Sequence, residues 1–341
     1  MQRGGVRARP AAPTLEAVAR EAKVSRATVS RVVNGSPKVS PDVVTAVNAA
    51  IAKLNYVPNR AARSLASRTT QAIALVVPED TARFFGDPYF AAIVEGITRR
   101  LDESEYLLNL LVASNDPGRK ALRYLRSGVV DGALVVSHHE GDDALWEAFD
   151  SVPMVFGGRP SHESDDEIYV DVDNVEGGLT ATEHLIAINR HRIGTITGPL
   201  DMPAGVDRLE GFRRAMSVAR LPAEAVETGD WSVASAVAAT RRLLDRVPDL
   251  DALFVASDLM ATGALSVLRE RGRRVPEDVA VVGFDDSPAA SSSAIPLTTV
   301  HQPSEQMGFE MADLLLRMLA GETDVPHRNL MPTRLVRRAS A

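Results

Sequence analysis

Two arginines and an alanine near the start of the chain have the types and spacing needed to read DNA. Arg26, Ala27 and Arg31 share one outward face if residues 25–33 form a helix. An arginine guanidinium can donate two hydrogen bonds to O6 and N7 of guanine, and a small residue such as Ala27 lets the helix lie close to the base edges. A solvated face on an ordinary helical hairpin would look the same, so this pattern alone leaves both interpretations open.

The residues around this face predict a small three-helix unit. After Thr14, a residue suited to an N-cap, apolar residues recur at the i, i+3, i+4 and i+7 spacing of one helix face. Ser25 can cap a second helix, and the pair 34–35 (Asn-Gly) tolerates the left-handed backbone that ends it. Ser40 precedes a third helix that begins at Pro41. Two short helices joined by a tight turn, closed by a third helix, would hold the arginine face in place.

Positive charge is concentrated at this end of the chain. Residues 1–69 contain 12 Lys and Arg against Glu16, Glu21 and Asp42, a formal charge of +9. Because the whole chain carries −7, the remainder carries −16. Neutralising phosphates releases counterions, so a basic segment of this kind binds polyanions. The division of charge favours a nucleic-acid-binding module attached to an acidic body.

The composition is that of a globular protein of about two or three domains. Of the 341 residues, 45% are hydrophobic, 24% are charged and none is cysteine. The lack of cysteine excludes disulfides, thiolate metal ligands and a cysteine nucleophile, and it suits a reducing cytoplasm. The basic extension 1–13 has no apolar run typical of a signal peptide, and no apolar stretch approaches the roughly 18 to 20 residues of a membrane span. We therefore expect a cytoplasmic protein that does not act on membranes.

The stretch from Thr14 to Leu65 resembles the DNA-binding headpiece and hinge of the lactose-repressor (LacI/GalR) family of bacterial transcription regulators. The resemblance lies in the motifs VSRATVSRVVNG and LNYVPNRAARSLA. It implies a homodimeric regulator, most often a repressor, that binds a pseudo-palindromic operator with a central C·G step. It also implies that Arg26, Ala27 and Arg31 contact bases. The implied phosphate contacts are Thr14, Ser25, Thr28, Asn34 and Ser40.

Residues 59–70 are predicted to form a hinge between the headpiece (14–58) and the rest of the chain. The segment RAARSLA is shorter than the ~12 to 15 residues at which an isolated helix is even marginally stable in water, so it should fold only with help. The resemblance implies that Leu65 and its dimer mate wedge into the minor groove, with Ala62 beside them, and kink the duplex. We expect a ligand bound elsewhere to tune this folding, and hence the DNA affinity.

From residue 71 onwards, apolar runs alternate with amphipathic segments, which is typical of parallel sheets covered by helices. About ten such units exceed one comfortable open sheet, so two lobes are expected. The fold class is therefore a small all-α helix-turn-helix headpiece and a two-lobed α/β effector domain of the periplasmic-binding-protein type with two doubly wound parallel sheets. The predicted strands are 72–77, 106–112, 132–136, 154–156, 169–172, 192–197, 252–256 and 279–284. The predicted helices include 89–103, 174–188, 206–218, 232–245 and 258–271.

Arginine, carboxylate and aromatic residues follow several of these strands. Ligands of doubly wound sheets lie at the carboxyl ends of the strands, and an arginine beside a carboxylate suits the vicinal hydroxyls of a sugar whose apolar face stacks on a ring. For Phe90, packing in the core is the alternative. The resemblance to the family's effector domain implies a cleft lined by Tyr89, Phe90, Arg159, Arg208, Trp231, Ser257, Asp285 and Gln302.

Two departures from the family pattern bear on the ligand. Gly158 stands where relatives often have a carboxylate, and Ser257 stands where many have asparagine. The expected effector is a sugar or sugar derivative, and the sequence leaves open whether it acts as inducer or corepressor. By analogy the two lobes comprise 71–171 with 302–322, and 172–301 with 323–341. The helix over 89–103 is expected at the homodimer interface.

Three other classes of protein are alternatives to this interpretation. An enzyme on a Rossmann-like fold would need a glycine-rich phosphate loop after an early strand, and none follows 72–77. The seven histidines offer no clear metal-ligand set, and no cofactor is implied. A solute-binding protein would need an export signal and no basic head. An architectural DNA-binding protein would bind DNA without sensing a ligand.

Overall fold

The computed structural model describes residues 13–33, 36–57, 69–114, 119–141, 147–148, 151–161 and 166–341. The chain divides into two compact units, Met1–Thr70 and Gln71–Ala341. The first unit is helical, and the second is built from two β-sheets and the helices that cover them.

Three helices form the described part of the first unit: α1 (Leu15–Glu21), α2 (Arg26–Val33) and α3 (Pro41–Leu54). The hydroxyl of Thr14 accepts a hydrogen bond from the backbone N–H of Ala17 and so caps α1. Val18, Val29 and Val47, one from each helix, are fully buried against one another, and Tyr56 closes the base of this core. One apolar stripe per helix is therefore enough to assemble the unit.

The first sheet of the second unit is wholly parallel. Its four central strands are almost completely buried because helices cover both faces. Its strands are β1 (Ala72–Val77), β2 (Leu107–Val112), β3 (Gly132–Val136), β4 (Met154–Gly157), β5 (Ile168–Val172) and β11 (Arg328–Met331). Their order is β11-β5-β4-β3-β1-β2.

The second sheet repeats this plan with one antiparallel strand at its edge. Its strands are β6 (Ile193–Thr197), β7 (Val226–Thr228), β8 (Ala252–Val255), β9 (Ala280–Asp285), β10 (Thr298–His301) and β12 (Arg334–Val336). Their order is β12-β10-β9-β8-β6-β7, with β12 running antiparallel to β10. We refer to the two sheets, each with its covering helices, as the first and second lobes.

Helices cover the sheets, and alternate residues of each central strand enter different cores. In β1, Ile73 and Leu75 pack on one face, whereas Ala74 and Val76 pack on the other. In the described part of the second unit the helices are α4 (Thr81–Gly86), α5 (Pro88–Leu101), α6 (Lys120–Arg126), α7 (Asn174–Ala187), α8 (Pro203–Val218), α9 (Val233–Arg246), α10 (Asp258–Glu270), α11 (Pro288–Ser292) and α12 (Ser304–Leu319).

The predicted strands and helices all correspond to elements of the structure, with ends shifted by a few residues. Four strands were not predicted: β7, β10, β11 and β12. The assignment of all of 323–341 to the second lobe is wrong for β11, because β11 pairs with β5 of the first sheet. The chain returns to the first lobe for α12, which packs against α5, and for β11, before β12 joins the second sheet.

Two glycines bring α7 and α8 into unusually close contact. A Cβ on Gly178 would lie 2.3 Å from the carbonyl oxygen of Arg208, and a Cβ on Gly211 would lie 2.1 Å from that of Val175. Only a residue without a Cβ fits at these separations. The close approach brings the Arg208 side chain to Asn174 at the start of α7.

Candidate functional site

The predicted base-reading residues lie together on the surface of α2. Arg26, Ala27 and Arg31 are exposed, whereas Val29 on the same helix is fully buried. Nε of Arg26 forms an ion pair with Oε1 of Glu16 at 3.0 Å, with both side chains largely exposed. The helix therefore presents two guanidinium groups and a small residue on one accessible face.

The predicted phosphate contacts differ in how their hydroxyls are used. Those of Thr14 and Ser25 cap helices by accepting from backbone N–H groups, and Ser25 Oγ also shares a hydrogen bond with Thr28 Oγ1 at 2.8 Å. Ser40 stands at the N-cap of α3 without a side-chain capping bond. The predicted contacts Asn34, Ala62 and Leu65, together with residues 1–12, lie outside the described residues.

The second unit contains a cavity between its two lobes. Strands of both sheets end at it, as expected for ligand sites of doubly wound folds. Seven of the eight predicted effector contacts line it: Tyr89, Arg159, Arg208, Trp231, Ser257, Asp285 and Gln302.

Phe90 is the exception among the predicted contacts. It is 1% exposed, and its ring packs beside that of Phe84 at 5.3 Å between centroids, within the core of the first lobe. Tyr89, one residue earlier on α5, faces the cavity instead. Consecutive helical residues point in directions about 100° apart, so only one of the two rings can face the ligand.

Arg208 is buried at the cavity wall and fixed by acceptors from three segments. Its Nε donates to Oδ1 of Asn174 at 2.9 Å, and its Nη1 donates to the carbonyl oxygen of Ala256 at 2.6 Å. Its Nη2 donates to Oε1 of Gln302 at 2.9 Å, and Nη1 lies 3.8 Å from Oδ1 of Asp285. A guanidinium has five N–H groups, so two remain to donate to a ligand.

Aromatic rings hold the same guanidinium in its plane. The Arg208 Cζ lies 3.5 Å from the centroid of the Phe284 ring and 5.4 Å from that of Trp231. The quadrupole of an aromatic face attracts a cation, and the attraction is larger where water is excluded. Contacts with the protein itself thus fix the position of the Arg208 guanidinium.

Three carboxyl groups line the cavity, those of Asp87, Asp171 and Asp285. Burial raises the pKa of each above its usual range. For Asp285 the pKa rises well above that range because burial outweighs the opposing charge of Arg208. These groups can accept hydrogen bonds from hydroxyls when ionised and donate one when protonated.

The backbone is strained where it meets the cavity. Asp285 has φ of 108°, Trp231 has φ of 68° and Ser137 has φ of 60°, all in the region that favours glycine. Such conformations cost of the order of 1–3 kcal/mol each and cluster at binding sites, where the surrounding structure holds them. The strain directs these three side chains into the space between the lobes.

Polar bonds cross from one lobe to the other at the rim of the cavity. Nη2 of Arg159, on the first lobe, donates to both carboxylate oxygens of Asp207 on α8 at 2.9 and 3.0 Å. His139 lies between Glu79 of its own lobe (Nε2 to Oε1, 3.1 Å) and Asp201 of the second (Nδ1 to Oδ2, 2.9 Å). Hydrogen bonds to Glu79 and Asp201 raise the pKa of His139 to about 9. These contacts hold the cleft in a closed arrangement.

Several lining residues were not predicted from the sequence. Ser137 and His138 follow directly after β3, so the rule applied to the other strands could have found them. Burial lowers the pKa of His138 to about 4, so its ring is neutral. Asp171 lies within β5, and Arg83 lies on α4, a short helix with no periodic pattern of its own. No sequence signal places these last two residues at the cavity.

Comparison with known proteins identifies the family. A model of the bacterial regulatory proteins of the lacI family matches residues 14–59, and one of a periplasmic binding protein-like domain matches residues 182–341. The HTH-type transcriptional regulator CelR of Thermobifida fusca is 49% identical over 334 residues, covering 96% of this chain and 98% of CelR. The chain belongs to the lacI family. It is a DNA-binding transcriptional regulator and not an enzyme.

Two repressors of the lacI family are also similar to this chain. The ribose operon repressor of Escherichia coli K12 is 34% identical over 334 residues, covering 96% of this chain and 99% of its own. The repressor PurR of Haemophilus influenzae is 36% identical over 314 residues, covering 90% and 91%. The family resemblance predicted from the headpiece motifs is confirmed.

Solved structures of lacI-family members confirm the predicted fold class. A complex of CelR with cellobiose is 47% identical, covers 96% of this chain and 100% of that one, and gives a TM-score of 0.77. The lac repressor dimer bound to operator and the anti-inducer ONPF is 30% identical, covers 96% of this chain and 98% of that one, and gives a TM-score of 0.85.

None of the helices in the described part of this chain has the length and apolar character that a membrane span requires. The described residues contain no group of three or more His, Asp or Glu placed to hold a metal ion.

Proposed function

We propose that this lacI-family regulator binds a neutral sugar, of which cellobiose is the leading candidate, and that sugar binding changes its affinity for a pseudo-palindromic operator. One observation carries the proposal: Arg208 and Asp285 meet beside the Trp231 ring in a cavity between two lobes. The indole offers a flat apolar face, and the charged pair offers donors and acceptors to adjacent hydroxyls. The similarity to CelR, solved with cellobiose, supports the same ligand class.

The charges that line the cavity favour a neutral ligand over an anion. Three guanidinium groups, from Arg83, Arg159 and Arg208, face three carboxyl groups, from Asp87, Asp171 and Asp285. The formal charges of the two sets cancel, so the lining offers no surplus of positive charge to hold a phosphate group. A polyhydroxylated ring can instead exchange hydrogen bonds with both kinds of group.

Titration calorimetry with cellobiose, glucose, ribose and hypoxanthine tests the ligand class. We expect cellobiose to bind and to raise the melting temperature, because a ligand that binds only the folded state adds about 2.7 kcal/mol at 100 times its Kd. Hypoxanthine, a purine, should not bind. Binding of the purine with no response to any sugar would refute the proposal.

Operator binding is assigned to the exposed face of α2 and the hinge that follows the headpiece. We propose that Arg26, Ala27 and Arg31 read bases, that Thr14, Ser25, Thr28, Asn34 and Ser40 hold phosphates, and that Leu65, with Ala62, enters the minor groove. Gel shifts on a pseudo-palindromic site selected from random DNA would measure this binding. Equal affinity for selected and random duplexes would favour an architectural role over a regulatory one.

Coupling between the cleft and the DNA is proposed to pass through residues 59–70. A change in the spacing of the first lobes of a dimer would favour or disfavour hinge folding, and such coupling is commonly about 1–3 kcal/mol. Gel shifts with and without saturating cellobiose give its sign: weaker operator binding identifies an inducer, and tighter binding identifies a corepressor. No change with a sugar that binds the cleft would refute the coupling.

The proposed assembly is a homodimer acting on DNA in the bacterial cytoplasm. The edge strand β2 of the first lobe leaves Leu107 51% and Leu110 42% exposed, and these apolar side chains lie on the lobe that carries α5, the helix predicted at the interface. Large apolar residues on an open sheet edge are typical of contact surfaces. Sedimentation of the full chain should give a dimer, and Leu107→Glu should shift it towards monomer.

A further inference from the structure

Three arginines line the cavity, and they differ in how many of their N–H groups are already engaged. Arg208 donates through all three of its nitrogens to protein acceptors. Arg159 donates to Asp207 and leaves 38% of its side chain exposed, so water can reach its remaining N–H groups. Arg83 is only 17% exposed, and within the described residues its guanidinium donates one hydrogen bond, from Nη1 to the carbonyl oxygen of Asp230 at 3.1 Å.

Arg83 therefore keeps several donors in a largely dry position. Its Nε is buried and has no hydrogen-bond acceptor within the described part of the chain, although Oε1 of Glu79 lies 3.3 Å away as an ion-pair partner. The Glu79 carboxylate compensates the charge at Nε, and this buried atom is closed to a ligand. Among the described contacts, the donors left for the oxygen acceptors of a ligand are one N–H of Nη1 and both N–H groups of Nη2.

The side chain starts on the first lobe and ends on the second. Asp80 caps α4 by accepting from the Arg83 N–H at 2.8 Å, which fixes the backbone to the first lobe. The Asp230 carbonyl that accepts from Nη1 precedes α9 of the second lobe. The Arg83 Cζ also lies 5.8 Å from the centroid of the Trp231 ring.

Two guanidinium groups, one from each lobe, thus flank one indole. Arg208 of α8 approaches the Trp231 ring to 5.4 Å and Arg83 of α4 to 5.8 Å. A ring stacked on Trp231 would be close to unused N–H groups of both. Glu79 positions Arg83 through the ion pair and is itself held by Ser137 Oγ, which donates to its Oε1 at 2.6 Å.

We propose that Arg83 is a specificity-determining residue of the effector site, donating hydrogen bonds to a hydroxyl of the sugar stacked on Trp231 while its Nη1 holds the Asp230 carbonyl. Ligand recognition and closure of the lobes then share one side chain. This inference rests on the proposed function in taking a sugar as the effector. It adds a contact from α4, a segment that the sequence motifs did not point to.

The test compares full-length wild-type protein with Arg83→Met, which keeps the stem and removes the guanidinium, and Arg83→Lys, which keeps the charge. The control is Arg213→Met, an exposed arginine on α8. The chain has two tryptophans, so a Trp146→Phe background leaves Trp231 emission to report cleft occupancy. Probes are cellobiose and its monodeoxy analogues.

We expect Arg83→Met to weaken cellobiose binding at least tenfold, Arg83→Lys less, and the control under twofold. One monodeoxy analogue should bind the wild-type protein at least fivefold more weakly than cellobiose does. The Arg83→Met protein should bind that analogue and cellobiose with equal affinity. That non-additivity identifies the hydroxyl that Arg83 contacts.

Two results would overturn the inference while leaving the proposed function intact. One is cellobiose binding within twofold of wild type in both Arg83 variants. The other is weaker cellobiose binding in both Arg83 variants, with each monodeoxy analogue weakened relative to cellobiose by the same factor as in wild type. That result would show a purely structural role for Arg83. Failure of wild type to bind any sugar would instead remove the proposed function itself, and the inference with it.

Discussion

The proposed DNA-reading face of α2 and the proposed effector cleft are built in opposite ways. Arg26, Ala27 and Arg31 are exposed neighbours on one helix. In the cleft, Arg208 and Asp285 are nearly buried and come from segments far apart in the chain. The first surface is specified by local spacing, whereas the second exists only once two sheets have assembled. Substitutions on this face of α2 should therefore change the free energy of unfolding little, whereas substitutions in the cleft should lower it more.

The electrostatic pairs of the two regions show the same contrast. The Arg26–Glu16 pair is exposed, and such pairs contribute about 0–1 kcal/mol. Arg208 and Asp285 share a site where burial dominates the pKa of the carboxyl. Breaking a buried pair leaves a charge without compensation, so its loss costs more than the pair itself contributes.

The largest effect is expected for Arg208→Met. It should lower the free energy of unfolding by about 3 kcal/mol, the lower end for a broken buried ion pair, because Asp285 can take up a proton. Cellobiose binding should be lost in the same variant. Urea unfolding and calorimetry measure the two effects. Wild-type sugar affinity in a folded Arg208→Met protein would show that Arg208 does not bind the sugar.

Arg31→Ala should spare folding and weaken operator binding by about 1–3 kcal/mol, with relaxed preference at one base pair. Circular dichroism and gel shifts on selected and random duplexes separate these effects. Arg20→Ala on α1 is the matched control, since it removes one exposed positive charge away from the reading face. An equal loss on both kinds of DNA would limit Arg31 to phosphate binding.

A smaller, pH-dependent effect is expected from His139. Its pKa of about 9 lies above the ordinary value, so the protonated ring stabilises the closed cleft fully below about pH 6.5, and this contribution is lost as pH rises through 9. Glu79 and Asp201 face the ring directly, and Arg83 contacts Glu79. Cellobiose affinity should fall several-fold between pH 7 and 9.5.

The pH dependence should disappear in His139→Gln. The control is His301→Gln, because His301 also contacts a carboxylate, Asp286, but does not bridge the lobes. Titrations across the pH range in the three proteins decide the question. If cellobiose affinity falls with pH in His139→Gln as steeply as in wild type, the pH dependence belongs to another group.

The smallest effect is expected for Glu16→Gln. In the proposed base contact Arg26 leaves Glu16, so removing this exposed partner should strengthen operator binding by less than about 1 kcal/mol. Glu21→Gln is the matched control on α1, since Glu21 pairs with Lys53. Gel shifts at low salt measure both, and weaker binding by Glu16→Gln would show that the pair orients Arg26 for reading.

The central strands could be predicted from the sequence because they are buried on both faces and read as continuous apolar runs. The missed strands lack that signal. Residues of β7, β11 and β12 are half-exposed at sheet edges. In β10 the polar Thr298 and Thr299 are buried because their hydroxyls are hydrogen-bonded, Thr299 to Oδ1 of Asp258 at 2.6 Å.

In the cleft, the predictable residues are those that follow a strand or match a family motif. Arg83 escaped both criteria, since its position depends on a helix too short to leave a pattern and on an acceptor 147 residues away. Phe90 and Tyr89 were indistinguishable by type, and only the rotation of α5 separates them. Residue types and local spacing can thus be interpreted from the sequence, whereas contacts between distant segments cannot.

The path of the chain between the sheets limits how this molecule can be re-engineered. Among the described strands, it passes from one sheet to the other between β5 and β6, between β10 and β11, and between β11 and β12. A chimera that takes one lobe from another family member therefore cannot be made with a single junction inside the second unit. Three junctions are required, and the segment that contains α12 and β11 must be taken together with the amino-terminal half.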